Sequence, residues 1–221
     1  MIILGIDTCD NTAACALCSG EDVIADFSFK AKRSHSQVIL PLVTQMLEMT
    51  GYTLQDIDAF AAVSGPRSYT GLRIGISTVQ GLCYGLDKPC VGVSALEALA
   101  YNYFTFRPDS AVCAVMHARA DLYYFAEFVN GKRTCEDCMK SSADIYSYIS
   151  SRSADMILLG DTENLELSRN CIIPPKAFSE RSAVSLCRAA MTHGFTSADK
   201  LAPDYLQLVK AEKDLLDKIN N

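Results

Sequence analysis

Short apolar runs alternate with longer amphipathic segments along the first hundred residues. Three runs typical of β-strands open the chain, at 2–7, 13–18 and 23–29, and polar turn residues separate them. They predict an antiparallel meander. A helix is expected next, ending near Met49, because apolar residues recur three and four positions apart and Gly51 follows the last of them.

The chain then changes to an alternation of strand and helix. Strands are predicted at 58–64 and 90–93, and helices at 70–86 and 94–103. This order predicts an α/β fold with a mixed sheet covered by helices. The sequence Arg107-Pro108-Asp109 is the best candidate for a domain boundary, which divides the chain into 1–107 and 108–221.

The second half repeats the order of the first in shortened form. Two strands, at 111–116 and 122–129, are followed by Asn130-Gly131, a strong hairpin signal, and a return strand at 133–138. Helical pieces at 143–150 and 184–193 flank a further strand at 156–159. The pattern therefore indicates two related α/β units.

Composition narrows the class of protein. The 221 residues are 49% hydrophobic and 21% charged, which is typical of a globular protein. A formal net charge of −6 disfavours independent nucleic-acid binding, because the phosphates of nucleic acid require clustered Lys and Arg. No signal peptide and no apolar run near the roughly 18 residues of a membrane span is recognisable, so we expect a cytoplasmic protein without membrane contact.

Cysteine and histidine spacing gives little support for a metal or redox site. Cys15 and Cys18 share a predicted strand, where residues three apart face opposite sides, whereas Cys135 and Cys138 have a more exposed setting but no second ligand pair. Reduced, mostly buried thiols are the favoured interpretation of all 10 cysteines, and a zinc or redox role stays open. The histidines are isolated in sequence and form no metal motif: His35, His117 and His193.

The segment 65–75 joins an apolar strand to a helix rich in small residues through a Gly-Pro turn. Such a junction directs free backbone N–H groups and a helix N-terminus beyond the strand, where they favour an anion. Asp7 and Thr8 end another strand, although a locally satisfied turn is the simpler interpretation of these two. The candidates for anion or nucleotide binding are Asp7, Thr8, Arg67, Ser68 and Thr70.

Both long helices of the first half carry more apolar or small residues than one core-facing stripe needs. Glycines at 71, 75, 81 and 85 each cost a helix about 1 kcal/mol relative to alanine. The excess indicates close packing, either on the chain's own sheet or against a partner. The sequence contains no convincing set of catalytic nucleophile, base or metal ligands.

Several motifs together resemble the TsaB (YeaZ) family of bacterial proteins that act in tRNA threonylcarbamoyladenosine synthesis. The most specific is Gly-Pro-x-Ser-Tyr-Thr-Gly-Leu-Arg-Ile-Gly at 65–75. Supporting matches are Ile-Asp-Thr at 6–8, His35-Ser36, the segment 93–100, Ala118-Arg119, the closing Pro203-x-Tyr205-Leu206 and Ala211-Glu212. They span nearly the whole chain.

The resemblance implies an actin-like (ribonuclease H-like) fold of two lobes, with a mixed five-stranded sheet in the first and a reduced second lobe. It implies a non-catalytic subunit that pairs with the paralogous enzyme TsaD, which transfers threonylcarbamoyl to adenosine beside the tRNA anticodon with help from the ATPase TsaE. Contact with tRNA arises only through that complex. The family pairs through the first two helices, alone as a homodimer, which gives these partner-binding candidates: Ile39, Leu42, Val43, Met46, Leu72, Gly75, Ile76 and Val79.

The resemblance also bears on nucleotide binding and on catalysis. ATP or ADP with Mg²⁺ at the partner interface, or at the anion loop of a homodimer, stays open, and no cofactor is assigned to this chain alone. The catalytic paralogue has a His-x-x-x-His metal motif where this chain reads Ala-Leu-Glu-Ala-Leu at 95–99, which opposes the alternative of a glycoprotease-like peptidase. A kinase-like enzyme is the other alternative, opposed by a second half without glycine-rich loops. Three departures from the family pattern are Arg67, His117 and Gln207.

Overall fold

The computed structural model describes residues 1–9, 12–30 and 34–206. Its first sheet contains β1 (Ile2–Asp7), β2 (Thr12–Ser19), β3 (Asp22–Lys30), β4 (Ala59–Gly65) and β5 (Cys90–Ser94) in the order β3-β2-β1-β4-β5. The first three strands are antiparallel neighbours, and β4 and β5 are parallel to β1. The predicted meander and mixed five-stranded sheet are therefore confirmed.

Two long helices follow the meander and β4. They are α1 (His35–Thr50) and α2 (Tyr69–Leu86), and both pack on one face of the first sheet. That face is apolar because alternate strand residues such as Leu4, Ile6 and Phe60 point towards the helices. Their neighbours Ile3 and Ala61 point to the other face, so the central strands are buried on both sides.

The second sheet also has five strands. It contains β6 (Ala111–Arg119), β7 (Leu122–Val129), β8 (Lys132–Ser141), β9 (Met156–Gly160) and β10 (Cys171–Ile172) in the order β10-β9-β6-β7-β8. The hairpin turn at Asn130-Gly131 is confirmed, with positive φ at both residues. The two-residue β10 was missed by the sequence analysis because so short an edge strand has no periodicity to recognise.

The remaining helices are α3 (Ala95–Phe104), α4 (Ser142–Ser150) and α5 (Ala183–Ala190). Helices α3 and α5 lie between the two sheets and share one core with the inner faces of both. Helix α4 covers the outer face of the second sheet through Ile145 and Ile149. The result is an α/β fold of two sheet-based lobes, as expected from the sequence.

The end of the described chain returns to the first sheet. Helix α5 contacts β1 and β2, Thr196 forms a bridge with Cys90, and the Asp204 N–H donates to the Ser64 carbonyl over 2.7 Å. Residues 183–206 therefore pack largely against the lobe that precedes residue 107. The division into 1–107 and 108–221 stays a prediction. In the described part of the chain, no helix is long and apolar enough to cross a membrane.

Candidate functional site

A surface groove runs along the outer side of α1 and α2, away from the first sheet. Its volume is about 730 Å³, and we call it the α1–α2 groove. It is lined by Ser36, Leu40, Tyr69, Thr70, Arg73, Ile74, Ser77, Thr78, Gly81 and Leu82. The lining is apolar or small except for one guanidinium group.

Aromatic and cationic side chains form one end of this groove. Tyr69 stacks on Tyr205 with ring centroids 4.9 Å apart, and the Arg73 guanidinium lies 3.9 Å from the centre of the Tyr69 ring. The Arg73 Nε–H also donates to the Tyr205 hydroxyl over 2.9 Å. Leu40 is 48% exposed on the opposite wall, so the groove offers an apolar surface beside a fixed cation.

The glycines of α2 fall into two groups. A Cβ at Gly71 or Gly75 would lie within 3 Å of Thr8, so the close packing of α2 on the end of β1 requires glycine at both positions. A Cβ at Gly81 or Gly85 would meet nothing within 4 Å. Each glycine costs the helix about 1 kcal/mol relative to alanine, so its presence needs a reason. Packing within the described residues gives that reason for Gly71 and Gly75 but not for Gly81 and Gly85.

The partner-binding residues expected from the resemblance do not line this groove. All of them are buried in the chain's own core, where α1 and α2 meet the first sheet: Ile39, Leu42, Val43, Met46, Leu72, Gly75, Ile76 and Val79. They face the sheet because the more regular apolar stripe of each helix does so, and their role in partner binding stays a prediction. The surface open to a partner carries their neighbours, such as Leu40 and Ile74.

A second region, which we call the inter-lobe cleft, is defined by two ion pairs that connect the C-terminal ends of β1 and β4 in the first sheet to residues 161 and 181. Asp7 is the buried last residue of β1, and its carboxylate lies 3.9 Å from an Arg181 guanidinium nitrogen. Arg67, in the loop after β4, lies 3.9 Å from Asp161, which follows β9. Opposite charges from the two lobes therefore face each other in pairs.

The cleft carboxylates also accept backbone hydrogen bonds. The Cys9 N–H donates to Asp7 over 2.9 Å, and the His117 N–H donates to Asp161 over 2.8 Å. The ring Nε2–H of His117 donates to the Ala120 carbonyl over 2.9 Å, so this departure from the family pattern stabilises a local turn. Burial, with the negative charge of Asp7, raises the pKa of Cys9 well above its ordinary value and keeps that thiol protonated.

The other candidates for anion binding are dispersed. Thr8 is buried, and its hydroxyl donates to the Gly71 carbonyl over 2.7 Å, while its own carbonyl accepts from His35 Nδ1–H over 2.9 Å. Ser68 and Thr70 are exposed, and Thr70 lines the α1–α2 groove rather than the cleft. The anion site therefore stays a prediction, although Thr70 lies in the α1–α2 groove and not with Asp7 and Arg67 in the inter-lobe cleft.

The cleft is poorly suited to a magnesium nucleotide. Mg²⁺ binds through carboxylate and phosphate oxygens in octahedral geometry, yet both cleft carboxylates are engaged by guanidinium and backbone N–H groups. No group of three or more His, Cys, Asp or Glu side chains in the described residues is arranged to hold a metal ion. The described residues of the cleft therefore do not fit a magnesium nucleotide.

A polar network occupies the start of α3 instead of a metal motif. Glu97 is buried and accepts from Arg133 over 3.0 Å and pairs with His193 Nε2 over 2.8 Å. Ser94 caps α3 and donates to Asp137 of β8 over 2.5 Å, and Arg133 also pairs with Asp137. These contacts join the first sheet to the edge of the second. The sequence gives no local signal for this network because its members lie far apart along the chain.

The two pairs of cysteines spaced three apart lie in different settings. Cys15 and Cys18 do pack into different cores on opposite faces of β2, which confirms the strand interpretation. Burial raises the pKa of Cys15 to about 12. Cys135 and Cys138 are half-buried on β8.

Gln207, the third departure from the family pattern, lies outside the described residues.

The two sheets, with helices on and between them, define the class of the protein as an actin-like α/β protein. A polyphosphate/ATP-glucomannokinase from Arthrobacter sp. strain KM matches it with a TM-score of 0.51 at 9% identity, covering 87% of this chain and 99% of the other. A protein from Pseudomonas aeruginosa, described as similar to peptidase YEAZ, matches with a TM-score of 0.80 at 25% identity, covering 93% and 99% of the two chains. The likeness to the kinase concerns the fold alone.

Sequence comparison identifies the family within that class. The model of the family described as TsaD, tRNA N6-adenosine threonylcarbamoyltransferase, matches residues 29–193. The tRNA threonylcarbamoyladenosine biosynthesis protein TsaB of Bacillus subtilis is 31% identical over 96% of both chains. The Escherichia coli protein of the same name is 40% identical over 58% of this chain and 55% of its own length. The chain belongs to the TsaB family.

Proposed function

We propose that this chain is a non-catalytic partner subunit in tRNA threonylcarbamoyladenosine synthesis and that it binds a TsaD-type paralogue through the α1–α2 groove. The observation that carries the proposal is the groove itself, an exposed apolar surface of about 730 Å³ on two neighbouring helices. Contiguous apolar surface of this kind typically marks a site of protein interaction. The names of the TsaB relatives support the pathway.

The unexplained glycines of α2 support a helix as the element that enters the groove. Gly81 and Gly85 have open space around them, and the neighbouring lining residues Ser77 and Thr78 are small. Small residues allow two helix backbones to approach closely and offset the propensity cost of glycine through packing in the complex. Tyr69 and Arg73 at the end of the groove are residue types enriched at the centres of protein interfaces.

A TsaD-type paralogue is the occupant that best fits this surface. The TsaD family model matches residues 29–193 of this chain, a range that includes both α1 and α2. A paralogue with the same pair of helices packs groove against groove about a pseudo-twofold axis. A second copy of this chain presents the same helices, so we expect a homodimer when the paralogue is absent.

Charge assigns the other tasks of the complex to its partners. A chain with a net charge of −6 gains little from tRNA phosphates, so tRNA binds through the paralogue. The pairing of Asp7 with Arg181 and of Asp161 with Arg67 disfavours nucleotide in the inter-lobe cleft. Threonylcarbamoyl transfer therefore takes place on the TsaD-type subunit, and ATP turnover on a TsaE-type ATPase.

Reconstitution with matched mixtures tests the proposal. This chain, the TsaD-type paralogue and their mixture are each supplied with the TsaE-type ATPase, ATP, a threonylcarbamoyl donor and tRNA. Sedimentation velocity measures assembly, and nucleoside analysis of the tRNA measures modification. We expect a heterodimer and modification only in the mixture. Modification, peptidase or sugar-kinase activity by this chain alone, or the absence of a heterodimer, would contradict the proposal.

A further inference from the structure

The thiols of Cys135 and Cys138, three residues apart on β8, interact with each other. Cys135 pairs with Glu127 of β7, and Cys138 pairs with Phe125. Between these two pairs, β8 has two residues and β7 has one. This is a β-bulge. Because Phe125 and Glu127 are two apart and share a face of the sheet, both cysteines point to that same face.

Both cysteines of the pair are close to each other and partly accessible to solvent. Both cysteines pack against the core under α4, and both are half-buried on β8, which forms the edge of the second sheet. The thiol of Cys138 donates to the Phe125 carbonyl over 3.6 Å, and that of Cys135 to the Glu136 carbonyl over 3.5 Å. These weak contacts leave both sulfur atoms available for covalent chemistry.

The other neighbouring thiols in the described residues differ in this respect. Cys18 interacts with Cys187, Cys83 with Cys90 and Cys113 with Cys171, and each of these pairs contains at least one thiol that is buried. A thiol reagent reaches the buried thiols only after local opening of the core. The bulge on β8 is therefore the place where the described structure presents two adjacent cysteines to solvent.

We propose that Cys135 and Cys138 form a reversible intramolecular disulfide by exchange with a low-molecular-weight disulfide such as glutathione disulfide. A thiolate of the pair attacks one sulfur of glutathione disulfide, the S–S bond breaks, and one glutathione thiolate leaves. The second cysteine then attacks the protein sulfur of the mixed disulfide and releases the other glutathione. The two cysteines lose two electrons and two protons, and glutathione disulfide becomes two glutathione thiols.

The reaction is expected to be slow at neutral pH. Burial raises the pKa of Cys138 to about 11, with further contributions from Cys135 and Asp137 that the Lys140 charge opposes. Because the thiolate is the attacking species, only a small fraction of this thiol is reactive near pH 7. Equilibrium between the two redox states is therefore the quantity to measure, rather than the rate of a single exchange.

The disulfide would act on the contact between the two sheets. Asp137 lies inside the bulge, accepts the Ser94 hydroxyl over 2.5 Å and pairs with Arg133. Ser94 in turn caps α3 by accepting from the N–H groups of Leu96 and Glu97. Closing a covalent ring around Glu136 and Asp137 changes the geometry of the bulge, and the change is transmitted to the first turn of α3.

The test uses the full-length native protein equilibrated in glutathione buffers of increasing oxidised fraction, followed by trapping of free thiols and trypsin digestion. Trypsin cuts after Arg133 and Lys140, so both cysteines fall in one peptide, 134–140. We expect this peptide to lose two hydrogens in oxidising buffer and to regain them in reducing buffer. A peptide that stays reduced, or retains glutathione on a single cysteine, would overturn the proposal.

Variants and a structural readout complete the test. Cys135→Ser should leave the peptide without a disulfide, and Cys171→Ser, at another half-buried cysteine, should leave its formation unchanged. Amide hydrogen exchange at Leu96 and Glu97 should differ between oxidised and reduced wild type and not in Cys135→Ser. Equal exchange in both states of the wild type would refute the transmission to α3. None of these outcomes depends on the proposed function.

Discussion

Neighbouring residues of α1 provide the sharpest test of which helix face is committed to the core. Ile39 is 1% exposed and packs against the first sheet, whereas Leu40 is 48% exposed in the groove. Truncation of a fully buried Ile to Ala costs about 2–5 kcal/mol, because apolar contact is lost and a cavity remains. An exposed position typically changes stability by less than about 0.5 kcal/mol.

The assay is thermal unfolding of Ile39→Ala and Leu40→Ala, monitored by circular dichroism and calorimetry at a matched protein concentration low enough to keep the chain monomeric. For a chain of this size each kcal/mol shifts Tm by about 2–4 °C, so Ile39→Ala should lower Tm by roughly 4–20 °C. Leu40→Ala should stay within about 2 °C of wild type. Equal shifts in the two variants, or a larger shift for Leu40→Ala, would refute the assigned orientation of α1.

Two further predictions concern α2 and the start of α3. Gly71→Ala should destabilise the chain because its Cβ would lie 2.4 Å from the Thr8 carbonyl oxygen. Gly81→Ala should stabilise the monomeric chain by about 1 kcal/mol, since its Cβ meets open space when the groove is unoccupied. Urea unfolding at a protein concentration that keeps the chain monomeric measures both, and destabilisation of the monomer by Gly81→Ala would contradict the exposed assignment. The hydrogen bond to Glu97 is the main cause of the raised pKa of His193. The contact between protonated His193 and Glu97 therefore contributes its full stability below the unfolded-state pKa of about 6.5. This contribution is lost as pH rises through the raised folded-state pKa. The stability difference between wild type and His193→Gln should therefore shrink on going from pH 5.5 to pH 9, and a difference that grows with pH would contradict the Glu97 contact.

Local patterning predicted most of the fold. The short apolar runs of β1 and β2 between turn residues, the three-and-four spacing in α1 and α2, and the turn chemistry of Asn130-Gly131 each depend on neighbours in sequence. The return of α5 to the first sheet was not predicted. It depends on contacts such as Cys187 with the Ile3 and Ala16 carbonyls, which local periodicity does not report.

The site was predicted less well, for a related reason. The resemblance pointed to α1 and α2, which carry an exposed apolar groove, yet the residues it named, such as Ile76, face the first sheet. Sequence alone does not separate the two faces of α2, because both are apolar or small. The bulge that aligns Cys135 with Cys138 likewise depends on the register of β8 against β7. Pairing of Asp7 with Arg181 joins positions that no motif links.

Affinity for the TsaD-type paralogue tests the central claim most directly. Calorimetric titration would compare wild type with Leu40→Asp in the groove and Met49→Asp, a 71% exposed control on the same helix outside it. A charge in an apolar interface centre should cost about 2 kcal/mol or more, which is about 30-fold in Kd. The account predicts this loss for Leu40→Asp with Met49→Asp close to wild type. Unchanged affinity in Leu40→Asp, with its fold intact, would contradict the α1–α2 groove as the binding surface.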